Sequence, residues 1–150
     1  MLAHQVHFSL LEFDVAVPLF AHCTPALRDE LLMALKPQTY APDGHIVREN
    51  EPGKAIYFIS QGQVEIQSQN GEQCHGTLGG GEYFGDLSML LGERRTACVK
   101  ALTYCEIFIL PKDDFTRIRK EFPEFKGVLK KMSAEKSEKM AALVLDGVVL

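Results

Sequence analysis

Between residues 38 and 110 the chain is punctuated at short intervals, and this constrains its fold more than any other feature. Turn signals stand at Pro42-Asp43-Gly44, Glu51-Pro52-Gly53, Gln61-Gly62 and Asn70-Gly71. Between them lie runs that alternate or are rich in β-branched residues: Ile46-Val47, Ile56-Tyr57-Phe58-Ile59 and Val64-Glu65-Ile66. Short strands separated by turns at such intervals predict an antiparallel sandwich or barrel. Asn70-Gly71 is a strong hairpin signal, because a two-residue hairpin turn needs positive φ. Thr96–Lys100 and Cys105–Leu110 read as the closing strands.

The flanks have a helical period instead. Val6, Leu10, Phe13 and Val17 fall on one stripe that Pro18 stops, so residues 1–20 suit a helix and its exit. Thr24-Pro25 reads as an N-cap followed by proline at the first helical position. Leu27, Leu31 and Leu35 give that helix its buried face, and Pro37 is expected to end it. Residues 112–145 return to helix, with Phe115, Ile118 and Phe122 on one stripe and a break at Pro123. Beyond it Phe125, Leu129, Met132, Lys136, Met140 and Leu143 step by three or four residues, which sets Lys136 on an apolar stripe. The expected fold is therefore α+β: an antiparallel, jelly-roll-like β-roll over 38–110, with N-terminal helices before it and two C-terminal helices over 112–145.

Composition narrows the function. At 150 residues, 46% hydrophobic and 24% charged, the chain is one ordinary domain with enough apolar residues for a core. A net charge of -4 gives no basic footprint for nucleic acid. No apolar run approaches the roughly 20 residues of a membrane span, and His4 and His7 interrupt the N-terminal apolar residues where a signal peptide would need continuity. Cys23, Cys74, Cys98 and Cys105 show no zinc-type spacing. Their apolar neighbours read as reduced core or strand positions and a cytosolic location, with a disulfide pair as the alternative. Glu82, Asp86 and Glu93 form no acid pair, the five histidines show no metal spacing, and no catalytic triad motif is present. A binding module without cofactor or metal is expected rather than an enzyme.

One segment carries ligand chemistry. Gly81-Glu82-Tyr83-Phe84-Gly85-Asp86-Leu87-Ser88-Met89-Leu90, followed by Arg94-Arg95-Thr96-Ala97, sets a glycine turn, an apolar helical turn and an arginine pair between strand-like runs. Glycine lets backbone approach a phosphate, free N–H groups at a helix start point at it, and arginine adds a planar fork of donors. Asp86 can accept from a hydroxyl. Together they can hold a cyclic phosphate fused to a ribose.

This segment resembles the phosphate-binding cassette of cyclic nucleotide-binding domains, which occur in catabolite activator-type regulators, protein kinase A regulatory subunits and the cytosolic parts of ion channels. The resemblance covers nearly the whole chain. Pro18-Leu19-Phe20, Asp43-Gly44-His45-Ile46-Val47, Gly53-Lys54-Ala55-Ile56-Tyr57-Phe58-Ile59 and Gln61-Gly62-Gln63-Val64-Glu65-Ile66 resemble the family's first core helix and early strands. Ala101-Leu102-Thr103-Tyr104-Cys105 looks most like cyclic nucleotide-gated, hyperpolarisation-activated and ether-à-go-go-type channels. It implies a linker over 1–20 and a nucleotide-binding domain over 21–150.

The resemblance also implies roles. Arg95 matches the phosphate arginine, with Arg94 as a solvent-facing neighbour. Phe84, Gly85, Asp86, Leu87, Ser88, Thr96 and Ala97 complete the cassette, Gly85 and Leu87 through backbone N–H groups, Thr96 through its hydroxyl. Asp86 stands where most members carry the glutamate that bonds the ribose 2′-hydroxyl. Ether-à-go-go-type members share Phe84-Gly85-Asp86 but typically lack the arginine kept here. On the final helix Lys136, Lys139 and Met140 match base-contacting positions; the bland alternative is that the lysine stems lie on apolar surface with their heads in water. Leu145-Asp146-Gly147-Val148-Val149 offers a competing match, to a helix end whose acid contacts guanine. The implied function is a cyclic AMP or cyclic GMP sensor, the cytosolic regulatory module of a channel. Its last helix would close on the ligand, its partner would be a pore or effector domain, and it would oligomerise through its parent at a membrane face without inserting. The alternatives are a kinase regulatory subunit, an exchange factor, a transporter, or a ligand-free domain used for assembly.

Overall fold

The computed structural model describes residues 18–68, 70–134 and 138–150. The stripe expected over Val6–Val17, and Lys136, lie outside them.

A 3-10 turn, Pro18–His22, leads into α1, Pro25–Ala34. Thr24 caps α1 as its sequence predicts: its Oγ1 accepts from Leu27 N at 3.4 Å, with proline next in the chain. Leu27, Leu31 and Leu35 are buried. The helix stops earlier than Pro37 would require, at Ala34, with the Leu35 N–H donating to the Leu31 carbonyl. Pro37 lies instead inside the first strand, β1, Lys36–Tyr40. The outer position of β1 in its sheet explains this, since a missing N–H is tolerated on an edge.

Seven further strands follow: β2 (His45–Val47), β3 (Ala55–Gln61), β4 (Gln63–Gln67), β5 (Cys74–Gly79), β6 (Tyr83–Phe84), β7 (Cys98–Ala101) and β8 (Cys105–Pro111). They form two antiparallel four-stranded sheets, ordered β1-β8-β3-β6 and β2-β7-β4-β5. This is the expected β-roll. The Gln61-Gly62 signal marks the step from one sheet to the other, and Asn70-Gly71 lies in the β4–β5 connection, whose strands pair directly. The facing sides supply the core, with Ile56, Phe58, Val64, Ile66, Val99 and Ile107 at most 2% exposed. Cys98 and Cys105 are buried strand residues, Cys74 is exposed on β5, and none of these three is in a disulfide.

Between β6 and β7 runs the short helix α2, Asp86–Leu91. The C-terminal part comprises α3 (Lys112–Glu121), α4 (Phe125–Ala134) and α5 (Glu138–Leu145). The break at Pro123 falls where expected. The apolar stripe read as one helix beyond it is shared between α4 and α5. Phe115 and Phe125 meet edge to face at 5.6 Å between ring centroids, joining α3 to α4. Arg117 of α3 pairs with Glu30 of α1 and with Asp114 and Glu121 of its own helix. Among the described residues no helix is long and apolar enough to cross a membrane.

Candidate functional site

The cassette is built where the β3–β6 edge of one sheet turns into α2. Tyr57 of β3 lies opposite Phe84 of β6, and their rings stack at 5.0 Å with 7° between planes. Gly85 then turns the chain at φ 97°, a left-handed conformation that glycine tolerates and most side chains do not. It caps α2 without a side chain, which brings the backbone close to Arg95.

Arg95 is only 2% exposed. Its own backbone is pinned on both sides, donating to the Glu51 carbonyl at 2.9 Å and accepting from Asn50 N at 2.8 Å. The guanidinium therefore enters the cassette from a fixed base. Nη1 donates to Ser88 Oγ at 2.9 Å and to the Gly85 carbonyl at 3.3 Å, and Nη2 donates to the Ala55 carbonyl at 3.2 Å. The guanidinium carbon lies 5.6 Å from the centre of the Tyr57 ring. Nε is buried with no hydrogen-bond acceptor. All of these acceptors are neutral oxygens. Burial pushes the Arg95 pKa down, while Tyr57, Glu51 and Asp86 pull it back up. Burial raises the Tyr57 pKa and the neighbouring guanidinium opposes it. Such a buried cation is costly to keep unless an anion completes its shell.

Around it the structure gathers most of the residues singled out from sequence. Asp86, at the start of α2, is 8% exposed, and Ser88 and Ala97 are buried. Leu87 lines an apolar cavity with Leu78, Phe84, Met140 and Leu143. Thr96 is exposed beside Arg95, and Arg94 points outward, donating to the Asn50 carbonyl at 2.6 Å. Met140 of α5 is buried and lines the cavity, whereas the Lys139 side chain is 63% exposed, with Nζ 4.0 Å from Glu82. An exposed pair at that distance contributes at most about 1 kcal/mol. Asp146 is exposed just past the end of α5.

Sequence reasoning passed over Tyr57 and Ala55, and it read Val148 and Val149 only as part of a helix end that carries Asp146. Tyr57 and the Ala55 carbonyl hold Arg95 from a strand about 40 residues earlier, and nothing local in the sequence reveals that pairing. Val148, Val149 and Leu150 lie against the cassette. A signal for these does exist: glycine at position 147 followed by an apolar residue is a helix-ending pattern that reverses the chain.

Against known families, the profile described as "Cyclic nucleotide-binding domain" matches residues 37–122, more than half of the chain. The chain belongs to the cyclic nucleotide-binding domain family. Curated relatives agree: mouse cyclic nucleotide-gated channel alpha-4 is 34% identical over 147 residues, 94% of this chain and 25% of that protein. Bovine cyclic nucleotide-gated channel alpha-2 is 34% identical over 140 residues, 89% of this chain and 21% of its own. The chain thus spans about a quarter or less of the length of these relatives. Among solved structures, the regulatory subunit of a cAMP-independent protein kinase A from Trypanosoma brucei superposes with a TM-score of 0.74 at 23% identity, covering 92% of this chain and 48% of that one. This second likeness is one of fold. In the cyclic nucleotide-binding domain the matched segment ends at Phe122, just past the end of α3, so α4, α5 and the residues after them lie beyond the family profile.

Proposed function

We propose that this domain binds cyclic AMP or cyclic GMP at the cassette and serves as the cytosolic regulatory module of a cyclic nucleotide-regulated channel. The observation that carries the reading is Arg95: a buried guanidinium whose hydrogen bonds among the described residues go to neutral oxygens, with an unused Nε, beside an acid and a short helix start. A cyclic phosphate supplies an anion that bonds the guanidinium directly, and Asp86 at the start of α2 accepts from the ribose 2′-hydroxyl. The apolar cavity against Met140 and Leu143 takes the base. Ligand binding is then a population shift in which α5 moves relative to the β-roll, and the state with α5 closed on the base must bind more tightly or nothing is transmitted. The module regulates rather than catalyses, and its partner is the pore of a larger parent. The channel reading rests on relatives that are themselves channel subunits over most of this chain.

Calorimetry and thermal unfolding with both nucleotides test this. Ligand at a hundredfold excess over its dissociation constant is expected to add about 2.7 kcal/mol of stability. A melting temperature that stays flat at millimolar cyclic AMP and cyclic GMP overturns the binding reading and favours a ligand-free domain used for assembly.

Asp86 gives a finer test. Asp86→Ala is expected to weaken binding by about 1.5–3 kcal/mol, the range for a hydrogen bond to a charged group. The 2′-deoxy nucleotide is the control: it should bind the parent more weakly, and the difference between parent and variant should shrink with it. Equal losses with ribose and deoxyribose ligands would show that Asp86 does not read the sugar.

A further inference from the structure

A second hollow, of about 200 Å³, opens beside the cassette and shares no lining residue with the apolar cavity. Its wall comes from the β2–β3 loop, from α2 and the turn after it, and from the first residue of α3: Pro52, Ser88, Gly92, Glu93, Arg94 and Lys112. The loop is pressed onto α2 here. A Cβ at Gly53 would stand 2.4 Å from Met89 N and 2.5 Å from Ser88 Oγ, so loop and helix meet with no side chain between them.

Two cations stand on this wall. Arg94 uses Nη1 to donate to the Asn50 carbonyl at 2.6 Å, which leaves most of a five-donor fork open. Lys112 adds an ammonium with three donors. Neither has a carboxylate within ion-pair distance among the described residues, and Glu93, the one acid on the wall, pairs with neither. Cations gathered in a concavity without counter-charge attract an anion. The volume lies below the roughly 300–1,000 Å³ of pockets for drug-sized ligands, so the anion is small. A tetrahedral phosphate offers enough oxygens to meet a planar fork and a point-like ammonium together.

We propose that this hollow is a second anion site, for inorganic phosphate or a small phosphate monoester, and that filling it weakens nucleotide binding at the cassette. The second half rests on the nucleotide reading above. Two links join the sites. Ser88 lines the hollow while its Oγ accepts from Arg95 Nη1 at 2.9 Å. Asn50, held by Arg94 through its carbonyl, donates its N–H to the Arg95 carbonyl at 2.8 Å. Two anions held by neighbouring arginines repel, and the linkage is reciprocal: bound nucleotide weakens phosphate binding by the same factor.

The test titrates inorganic phosphate and glycerol 3-phosphate separately into the ligand-free chain at constant ionic strength, following the amides of Gly53, Gly92 and Glu93. Saturable shifts are expected, and the tighter of the two names the anion as free or esterified. Lys112→Gln, which breaks no hydrogen bond of the backbone, should weaken binding by up to about fivefold, the range for an exposed charge pair. Arg94→Gln/Lys112→Gln together should abolish it. Glu93→Gln should tighten it, and Lys120→Gln, an exposed lysine elsewhere on α3, should leave it unchanged. Shifts that chloride reproduces, or that survive the double substitution, overturn the site. Calorimetric titration of cyclic AMP and cyclic GMP with and without phosphate then tests the linkage. Nucleotide affinity should fall to a plateau about fivefold weaker, the low end for coupled sites, and by less in Lys112→Gln. A fall without plateau that persists in Lys112→Gln is competition at Arg95 and overturns the linkage, as does an unchanged affinity. Failure of both nucleotides to bind overturns the nucleotide reading, and the linkage with it, while the amide shifts still decide the anion site.

Discussion

Replacing Arg95 by alanine is expected to weaken cyclic nucleotide binding by about 2–5 kcal/mol, the range for removing one partner of a buried charge pair. That is roughly a thirtyfold to several-thousandfold rise in dissociation constant. Its effect on the empty protein is not negligible either. Sequence alone suggests a side chain that serves only the ligand, so that its loss leaves the fold untouched. The structure corrects this, because Arg95 already holds the Gly85 carbonyl, Ser88 Oγ and the Ala55 carbonyl. Their loss leaves buried acceptors unsatisfied, at about 1–3 kcal/mol, while removal of a buried cation returns part of that through relieved desolvation. Arg95→Lys separates charge from geometry: it keeps the cation but not the planar fork, and should fall between parent and alanine. Denaturant unfolding without ligand and calorimetry with it measure the two effects apart. An affinity unchanged in Arg95→Ala, at equal folded fraction, would remove Arg95 from the phosphate site.

Gly85→Ala is the second large effect, and it acts on the fold first. At φ 97° an L side chain is strained by about 1–2 kcal/mol. A Cβ here would also stand 2.8 Å from the Ala55 carbonyl, 3.0 Å from Tyr57 Cδ2 and 3.2 Å from Arg95 Nη1. Two of these are backbone oxygen and a stacked ring, which give way reluctantly, and overpacking of this kind typically costs about 1–3 kcal/mol. The combined loss of about 2–5 kcal/mol should lower the melting temperature by roughly 5–15 °C in a domain of this size. Any relaxation must push β3 away from β6 or shift the guanidinium, so nucleotide affinity should fall as well. A variant that melts like the parent and binds like it would show that the turn relaxes freely and that its left-handed backbone is not required.

How much of this was legible beforehand depends on how local the determinants are. Thr24-Pro25 caps a helix using atoms within three residues, and the cap is where the sequence predicts it. The turn signals at Asp43, Gly62 and Gly71 likewise mark the ends of strands, because the left-handed backbone they encode is a single-residue property. Arg95 could be chosen from its place after the cassette, but not its burial, which depends on the Ala55–Gln61 strand pairing with Tyr83–Phe84. Pro37 misled because proline forbids helix interior but allows an edge strand, and only the sheet order distinguishes the two. The tail was hardest to read. Its asparagine-free, apolar Val148-Val149-Leu150 sequence suggests burial somewhere, yet its hydrogen bonds are made by backbone, which leaves no mark in residue types.

The two sheets have four outer strands, and each resists accepting another strand in its own way. β1 carries Lys36 and Pro37, β6 is two residues long and β2 three, and β5 contains Gly76 at φ 148° opposite a register shift in β4. Lysine, proline, brevity and bulges are the means by which sheet edges avoid templating. A chain so guarded can be held at high local concentration, several copies side by side on one assembly, without its sheets zipping into one another. Any contact with another chain would then fall to helices and loops, surfaces that can part and re-form without tearing open a β-ladder.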